Sequence, residues 1–192
     1  MGRLLVTEFI SLDGVVEDPG GSEDHPHGGW SFEFERSDAG DQFKAEETLE
    51  SEALLLGRVT YEGFADAWPS RSGDPFSDKF NSMPKYVVSS TLSDPEWNNS
   101  QVIDGSGDVE AQIAALKEEL DGDIIVHGSP TLARALIEAD LVDELRLMVF
   151  PVLLGSGKTL FGDAGADKKT WKVTRAEVIS DAGVQVQVYE PA

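Results

Sequence analysis

Apolar positions along this chain recur with two periods, and the switches between them predict its elements. Residues 3–12 alternate, with Leu5, Thr7, Phe9 and Ser11 on one side and Leu4, Val6, Glu8 and Ile10 on the other. That is the pattern of a strand, closed by Asp13-Gly14. Short apolar runs bounded by turn residues predict strands at 53–56, 85–90, 101–103 and 124–126, and a longer one at 144–154 interrupted by Pro151. Residues 171–180 and 184–190 alternate strongly across Asp181-Ala182-Gly183, a hairpin signal. Helical spacing takes over at 41–51, 60–68 and 108–120, where Val109, Ile113, Leu116 and Leu120 share a face and Gly122 marks the stop. It returns after Pro130 with Leu132, Ala135, Leu136 and Ala139. Residues 15–39 and 70–84 read as irregular.

Strands alternating with helices and ending in strands alone predict an α/β domain over 1–192. Its central sheet should be mostly parallel, with antiparallel C-terminal strands. At about 25 residues, the irregular 15–39 segment is longer than an ordinary connection and points to a functional loop. Its alternating Trp30, Phe32 and Phe34 are placed to cover a pocket or close the core.

Composition narrows the function classes. The chain has 192 residues, 40% of them hydrophobic, and no cysteine, so disulfides and thiolate metal sites are excluded. No apolar run approaches a membrane span, and the N-terminus lacks a signal-peptide core, so a cytoplasmic protein is expected. The formal net charge is −21. Residues 1–60 hold 14 acids against 4 bases, residues 61–125 hold 13 against 4, and residues 126–192 hold 9 against 7. Such a field repels nucleic acid and anionic lipid, and any phosphate site needs local bases.

Three strand ends carry small, hydroxyl or basic residues: Gly57-Arg58-Val59-Thr60, Ser89-Ser90-Thr91 and His127-Gly128-Ser129. In a parallel sheet these ends share one edge. Two of them open helices, and Ser129 followed by Pro130 has the form of an N-cap and first helical residue. Backbone N–H groups at such turns suit phosphate. Arg58 adds a fork of donors. Together they read either as a site for an extended polyanion such as a dinucleotide or as three ordinary turns.

The stretch Leu55-Leu56-Gly57-Arg58-Val59-Thr60-Tyr61-Glu62 resembles the Gly-Arg-x-Thr segment of dihydrofolate reductases. Lys85-Tyr86-Val87-Val88-Ser89-Ser90-Thr91-Leu92 resembles their next strand, and Ile125-Val126-His127-Gly128-Ser129 their glycine-rich pyrophosphate turn, with Ser129 where a second glycine is usual. Ser11-Leu12-Asp13-Gly14, the stretch from Ala139 to Leu145, and the stretch from Pro151 to Lys158 resemble the reductase domain of the riboflavin-biosynthesis deaminase–reductase and its stand-alone relatives. The resemblance covers about residues 3–189. It implies the dihydrofolate reductase-like three-layer fold, NADPH as cofactor and hydride transfer to a C=N or C=O of a small heterocyclic substrate.

On that resemblance the cofactor is held by Gly57, Arg58, Thr60, Ser89, Ser90, Thr91, His127, Gly128, Ser129, Thr131 and Leu132, with Arg58 and Ser90 favouring NADPH over NADH. Asp13, after the first strand, and Asp41, near the position of the helix carboxylate of dihydrofolate reductases, are the candidate catalytic acids, with Asp38 competing for the second role. The substrate is expected between residues 7–13, the 15–39 loop and the helix at 41–51. Genuine dihydrofolate reduction and NADP binding without efficient turnover are the alternatives. Related domains dimerise through sheet edges, which implies a homodimer, and the apolar run 149–154 would suit an interface or the core.

Two other motifs are set aside. Gly155-Ser156-Gly157-Lys158-Thr159 is not a P-loop: its first glycine would fall at Val152 and no helix pattern follows. His25-Pro26-His27 lacks a third suitably spaced ligand, so no metal is expected.

Overall fold

The computed structural model describes residues 1–162 and 167–192. Among the described residues eight strands form one sheet: β1 Leu4–Ser11, β2 Ala53–Gly57, β3 Lys85–Ser89, β4 Ser100–Asp104, β5 Ile124–His127, β6 Glu144–Phe150, β7 Trp171–Val178 and β8 Gln185–Pro191. Their order is β4-β3-β2-β5-β1-β6-β8-β7. Every pair from β4 to β6 is parallel, and β8 runs antiparallel to both β6 and β7. The carboxyl ends of the six parallel strands therefore line one edge. The helices are α1 Ser37–Glu50, α2 Arg58–Ala67, α3 Pro75–Ser82, α4 Val109–Glu119 and α5 Pro130–Glu138.

Both faces of the central strands are covered, which is why β2 and β5 are apolar up to their last residues, Gly57 and His127. On one face Leu4, Val6 and Ile10 of β1 share a core with Ile113 and Leu116 of α4 and Leu132 and Leu136 of α5. On the other, Leu5, Leu54, Leu56 and Ile125 meet Tyr61 of α2 and Phe80 of α3. A third cluster packs Phe43 of α1, Met148 and Phe150 of β6 and Val186 and Val188 of β8 under Trp30.

Several boundaries differ from the sequence reading. Residues 75–82 form α3 rather than irregular chain: Asp74 caps it by accepting a hydrogen bond from Ser77 N (2.9 Å), and Pro75 occupies its first turn. Helix α1 begins at Ser37, four residues before expectation. Strand β6 ends at Phe150, and of the run 149–154 Phe150 and Leu154 are core. The 15–39 segment is built, not slack. Asp18 is buried and accepts from Ser22 N (2.6 Å), Glu23 N (3.0 Å) and His25 N (3.2 Å). Trp30 is buried, donates to Glu17 O (2.9 Å) and meets Phe150 edge-on at 5.3 Å. Phe34 also meets Phe150, at 6.0 Å, while Phe32 is 72% exposed.

Candidate cofactor site at the carboxyl edge of the sheet

The turn from β5 to α5 places two consecutive residues in the left-handed region, Gly128 at φ 55° and Ser129 at φ 59°. A residue with a Cβ is strained there, by about 1–2 kcal/mol. Ser129 is held by three polar contacts. Its Oγ accepts from Gly57 N (2.9 Å) and donates to His127 O (3.3 Å), and its N–H donates to Thr60 Oγ1 (3.0 Å). The β2–α2 and β5–α5 turns are thus latched together, and Gly57, Thr60, Gly128 and Ser129 form one cluster. The hydroxyl does not cap α5, as an N-cap serine would, because it is spent on Gly57 across the sheet. Pro130 has no N–H, so the first-turn donors left to α5 are those of Thr131 and Leu132. The first turn of α2 contributes similarly, as Gly57 supplies no side-chain cap.

Arg58, the first residue of α2, is exposed and donates through Nη1 to both carboxylate oxygens of Glu62 (3.0 and 2.8 Å). At the end of β3, Ser89 is buried and its Oγ accepts from Thr91 N (3.1 Å) and Leu92 N (2.9 Å). It shapes the turn, and it is Ser90 and Thr91 that face outward. His127 is buried, within 3.4 Å of Thr48 Oγ1 of α1 and edge-on to Phe80 at 5.7 Å. Burial, with Lys44 nearby, holds its pKa well below the ordinary histidine value, so it is a neutral wall residue.

The two candidate acids do not converge. Asp13 accepts from Ser11 Oγ (2.6 Å), Leu154 N (3.2 Å) and Gly155 N (2.7 Å), and the Ser11 hydrogen bond leads in lowering its pKa. It is an ionised clamp between the β1 turn and the loop after β6. Asp41 is exposed on α1 and pairs with Arg36 (3.1 Å). The carboxylate that α1 turns toward the sheet is Glu47, which sequence reasoning missed. Its oxygens accept from Thr7 Oγ1 (3.0 Å each) and pair with Lys44, and Lys44 Nζ donates to Thr7 Oγ1 (2.9 Å) and lies 5.1 Å from the Phe9 ring. Arg146 continues this polar chain on β6, binding Glu144 Oε1 (2.5 Å), whose partner oxygen binds Arg3.

Lys158 pairs with Glu17, and the carbonyl of Ser156 lies 3.2 Å from His25 Nε2, so the 155–158 turn is docked on the 15–39 segment. Among the described residues no cluster of three metal-ligating side chains occurs, and no helix is long and apolar enough to cross a membrane. Two open clefts of about 450 Å³ lie elsewhere, one around Arg71, Asn81 and Trp97 and one around Asp140, Lys169 and Trp171.

An eight-stranded, mostly parallel sheet with this strand order, two latched turns at its carboxyl edge and an antiparallel C-terminal ribbon defines a dihydrofolate reductase-like protein. A family model described as the RibD C-terminal domain matches residues 3–185, and the chain belongs to that reductase-like family. Two Bacillus subtilis (strain 168) proteins are similar along most of their length, both uncharacterized. YyaP is 27% identical over 96% of this chain and 93% of its own, and YwjB 31% identical over 83% of each. A putative riboflavin biosynthesis protein from Shewanella sp. PV-4 superimposes with a TM-score of 0.75 at 23% identity, over 99% of both chains. Dihydrofolate reductase from Enterococcus faecalis, solved with NADP(H), superimposes with a TM-score of 0.61 at 20% identity, over 99% of this chain and 96% of that one.

Proposed function

We propose that this chain is an NADPH-dependent reductase that transfers a hydride to a C=N or C=O of a small pyrimidine- or pterin-like heterocycle. The observation that carries the reading is the Ser129 latch. It brings the β2 and β5 turns, with their helix N-termini, into one cluster at the edge where a nicotinamide dinucleotide lies in proteins of this fold. The donor set fits such a cofactor. Thr131 and Leu132 N–H groups suit its pyrophosphate, and Arg58 with the outward hydroxyls of Ser90 and Thr91 suits a 2′-phosphate. Bound there, the cofactor supplies the hydride.

The chain's own residues position and shield. Trp30 and Phe34 cap the Phe150 cluster beside the end of β1, and Lys44 over Phe9 sets a cation at the rim where the substrate would enter. Folate reduction is the weaker reading, because Glu47, the carboxylate that α1 offers the sheet, is taken up by Lys44 and Thr7. A homodimer is part of the same proposal: β7 is an edge strand exposing Val173 and Val178. NADPH oxidation measured against a ribosylamino-pyrimidine and against dihydrofolate tests the reading. Turnover of the pyrimidine is expected. Preferred turnover of dihydrofolate makes it a folate reductase, and cofactor binding with neither turned over makes it a binding protein.

A further inference from the structure

Buried polar atoms without partners are rare, and each calls for a cause. Glu8 is 4% exposed on β1, and among the described residues its Oε1 finds no hydrogen-bond partner. On its own face its strand neighbours are Val6 and Ile10, both part of the core shared with Leu132 and Leu136 of α5. An apolar side chain would continue that core, so the fold gains nothing from an acid here.

Its position has a second meaning. β1 pairs with β5 only as far as Thr7 opposite His127. Glu8 is the next residue, at the level where β5 turns away through Gly128 and Ser129, while on its other side it is still opposite Leu147 of β6. The carboxyl therefore belongs to the place where β1 and β5 part. The sheet order sets the ends of β3, β2, β5 and β1 side by side. On the dinucleotide reading above, on which this inference rests, β3 and β2 hold the adenosine phosphate and β5 the pyrophosphate. The reactive ring then comes next, at β1.

We propose that Glu8 recognises an amide-like edge at the reactive end of this site, with donor and acceptor side by side. The nicotinamide carboxamide and a ring amide of the heterocyclic substrate both present such an edge. A carboxylic acid that keeps its proton offers one donor and one acceptor in a plane, the complement of that edge. The surroundings keep the proton on. Burial pushes the Glu8 pKa up to about 8; Glu23, from the segment before α1, raises it, and Lys44 of α1 lowers it without reversing the shift. His127, at the neighbouring strand end, is held neutral.

Calorimetric titration between about pH 6 and 9.5 tests this, using NADPH and its analogue with an acetyl group in place of the carboxamide. The proteins compared are wild type, Glu8→Gln and Glu8→Leu. Glu8→Leu should weaken NADPH about tenfold and leave the analogue almost unchanged. Wild-type affinity should fall above about pH 8 as the acid ionises, and Glu8→Gln, which keeps a donor and an acceptor but cannot ionise, should abolish that fall. If Glu8→Leu instead spares NADPH but weakens the ribosylamino-pyrimidine about tenfold on the non-reacting NADP⁺ complex, with the same pH pattern, the substrate's ring amide is the edge recognised. Indifference of both ligands to Glu8→Leu, with no step near pH 8, overturns the proposal. Wild-type protein that binds no NADPH overturns the dinucleotide reading itself, a separate and visible failure.

Discussion

Two of the ionisable side chains buried in this sheet, Lys85 and Glu8, are treated in opposite ways. Lys85, at the start of β3, is fully buried, but its Nζ donates to Asn81 O (2.9 Å), Met83 O (2.8 Å) and Asn98 O (3.0 Å) and lies 4.4 Å from the Trp97 ring. Burial lowers its pKa to about 8, yet every ammonium proton has an acceptor. It ties the end of α3 and the turn before β4 to β3. Among the described residues, the Oε1 of Glu8, in the middle of β1, has nothing equivalent. A buried ionisable group that is satisfied serves the fold, and the unsatisfied one is here assigned to a ligand.

Substitution separates the two cases. Lys85→Met leaves three carbonyls without their donor and should lower unfolding stability by about 2–4 kcal/mol, read from the urea midpoint. An unchanged midpoint would mean that Lys85 is not the tie. Glu8→Leu should do the reverse and stabilise the chain by about 1–3 kcal/mol near pH 8. The sign follows from the raised pKa. Between about pH 4.5 and 8 the folded chain holds a proton that the unfolded chain has lost, so wild-type stability declines with rising pH across that window. The advantage of Glu8→Leu should therefore grow from pH 5 to 9 in parallel thermal melts. A variant less stable than wild type at pH 8 would show that the carboxyl has a structural partner.

Ser129 is the intermediate case, a buried polar group that is satisfied but strained. Ser129→Ala should cost about 1–2 kcal/mol by stripping Gly57 N of its acceptor, and Ser129→Gly somewhat less, because glycine relieves the left-handed strain. Equal costs in chemical denaturation would remove strain from the explanation. The smallest effect is expected at Glu62. Glu62→Ala releases Arg58 and should change stability by less than about 0.5 kcal/mol while tightening NADPH measurably.

What the sequence made legible follows the range of the forces involved. The strands, the helices α1, α2, α4 and α5, the parallel core and the antiparallel ribbon rest on local periodicity, and they match the structure. Helix α3 was present in Asp74-Pro75 and the i, i+4 pair Phe76 and Phe80, but the two prolines, Pro75 and Pro84, made the segment read as irregular. The alternation set Glu8 on one side of β1 with Leu4, Val6 and Ile10 and gave it no role. Only the placement of β1 between β5 and β6, with helices on both faces, buries it, and the one local hint was its position between Val6 and Ile10. The Ser129 latch spans 72 positions to Gly57, so no local pattern announces it. Asp41 was chosen because it lies near the helix carboxylate of the resembling dihydrofolate reductases, and the register of α1 turns Glu47 inward instead.

The most direct measurement compares the dissociation constants of NADPH and NADH for wild type and Arg58→Ala. A 2′-phosphate held by Arg58 predicts that wild type prefers NADPH. Arg58→Ala should then lose about 10- to 100-fold for NADPH and almost nothing for NADH. Equal losses for both cofactors, or no preference in the wild type, would contradict the placement of the dinucleotide along this edge.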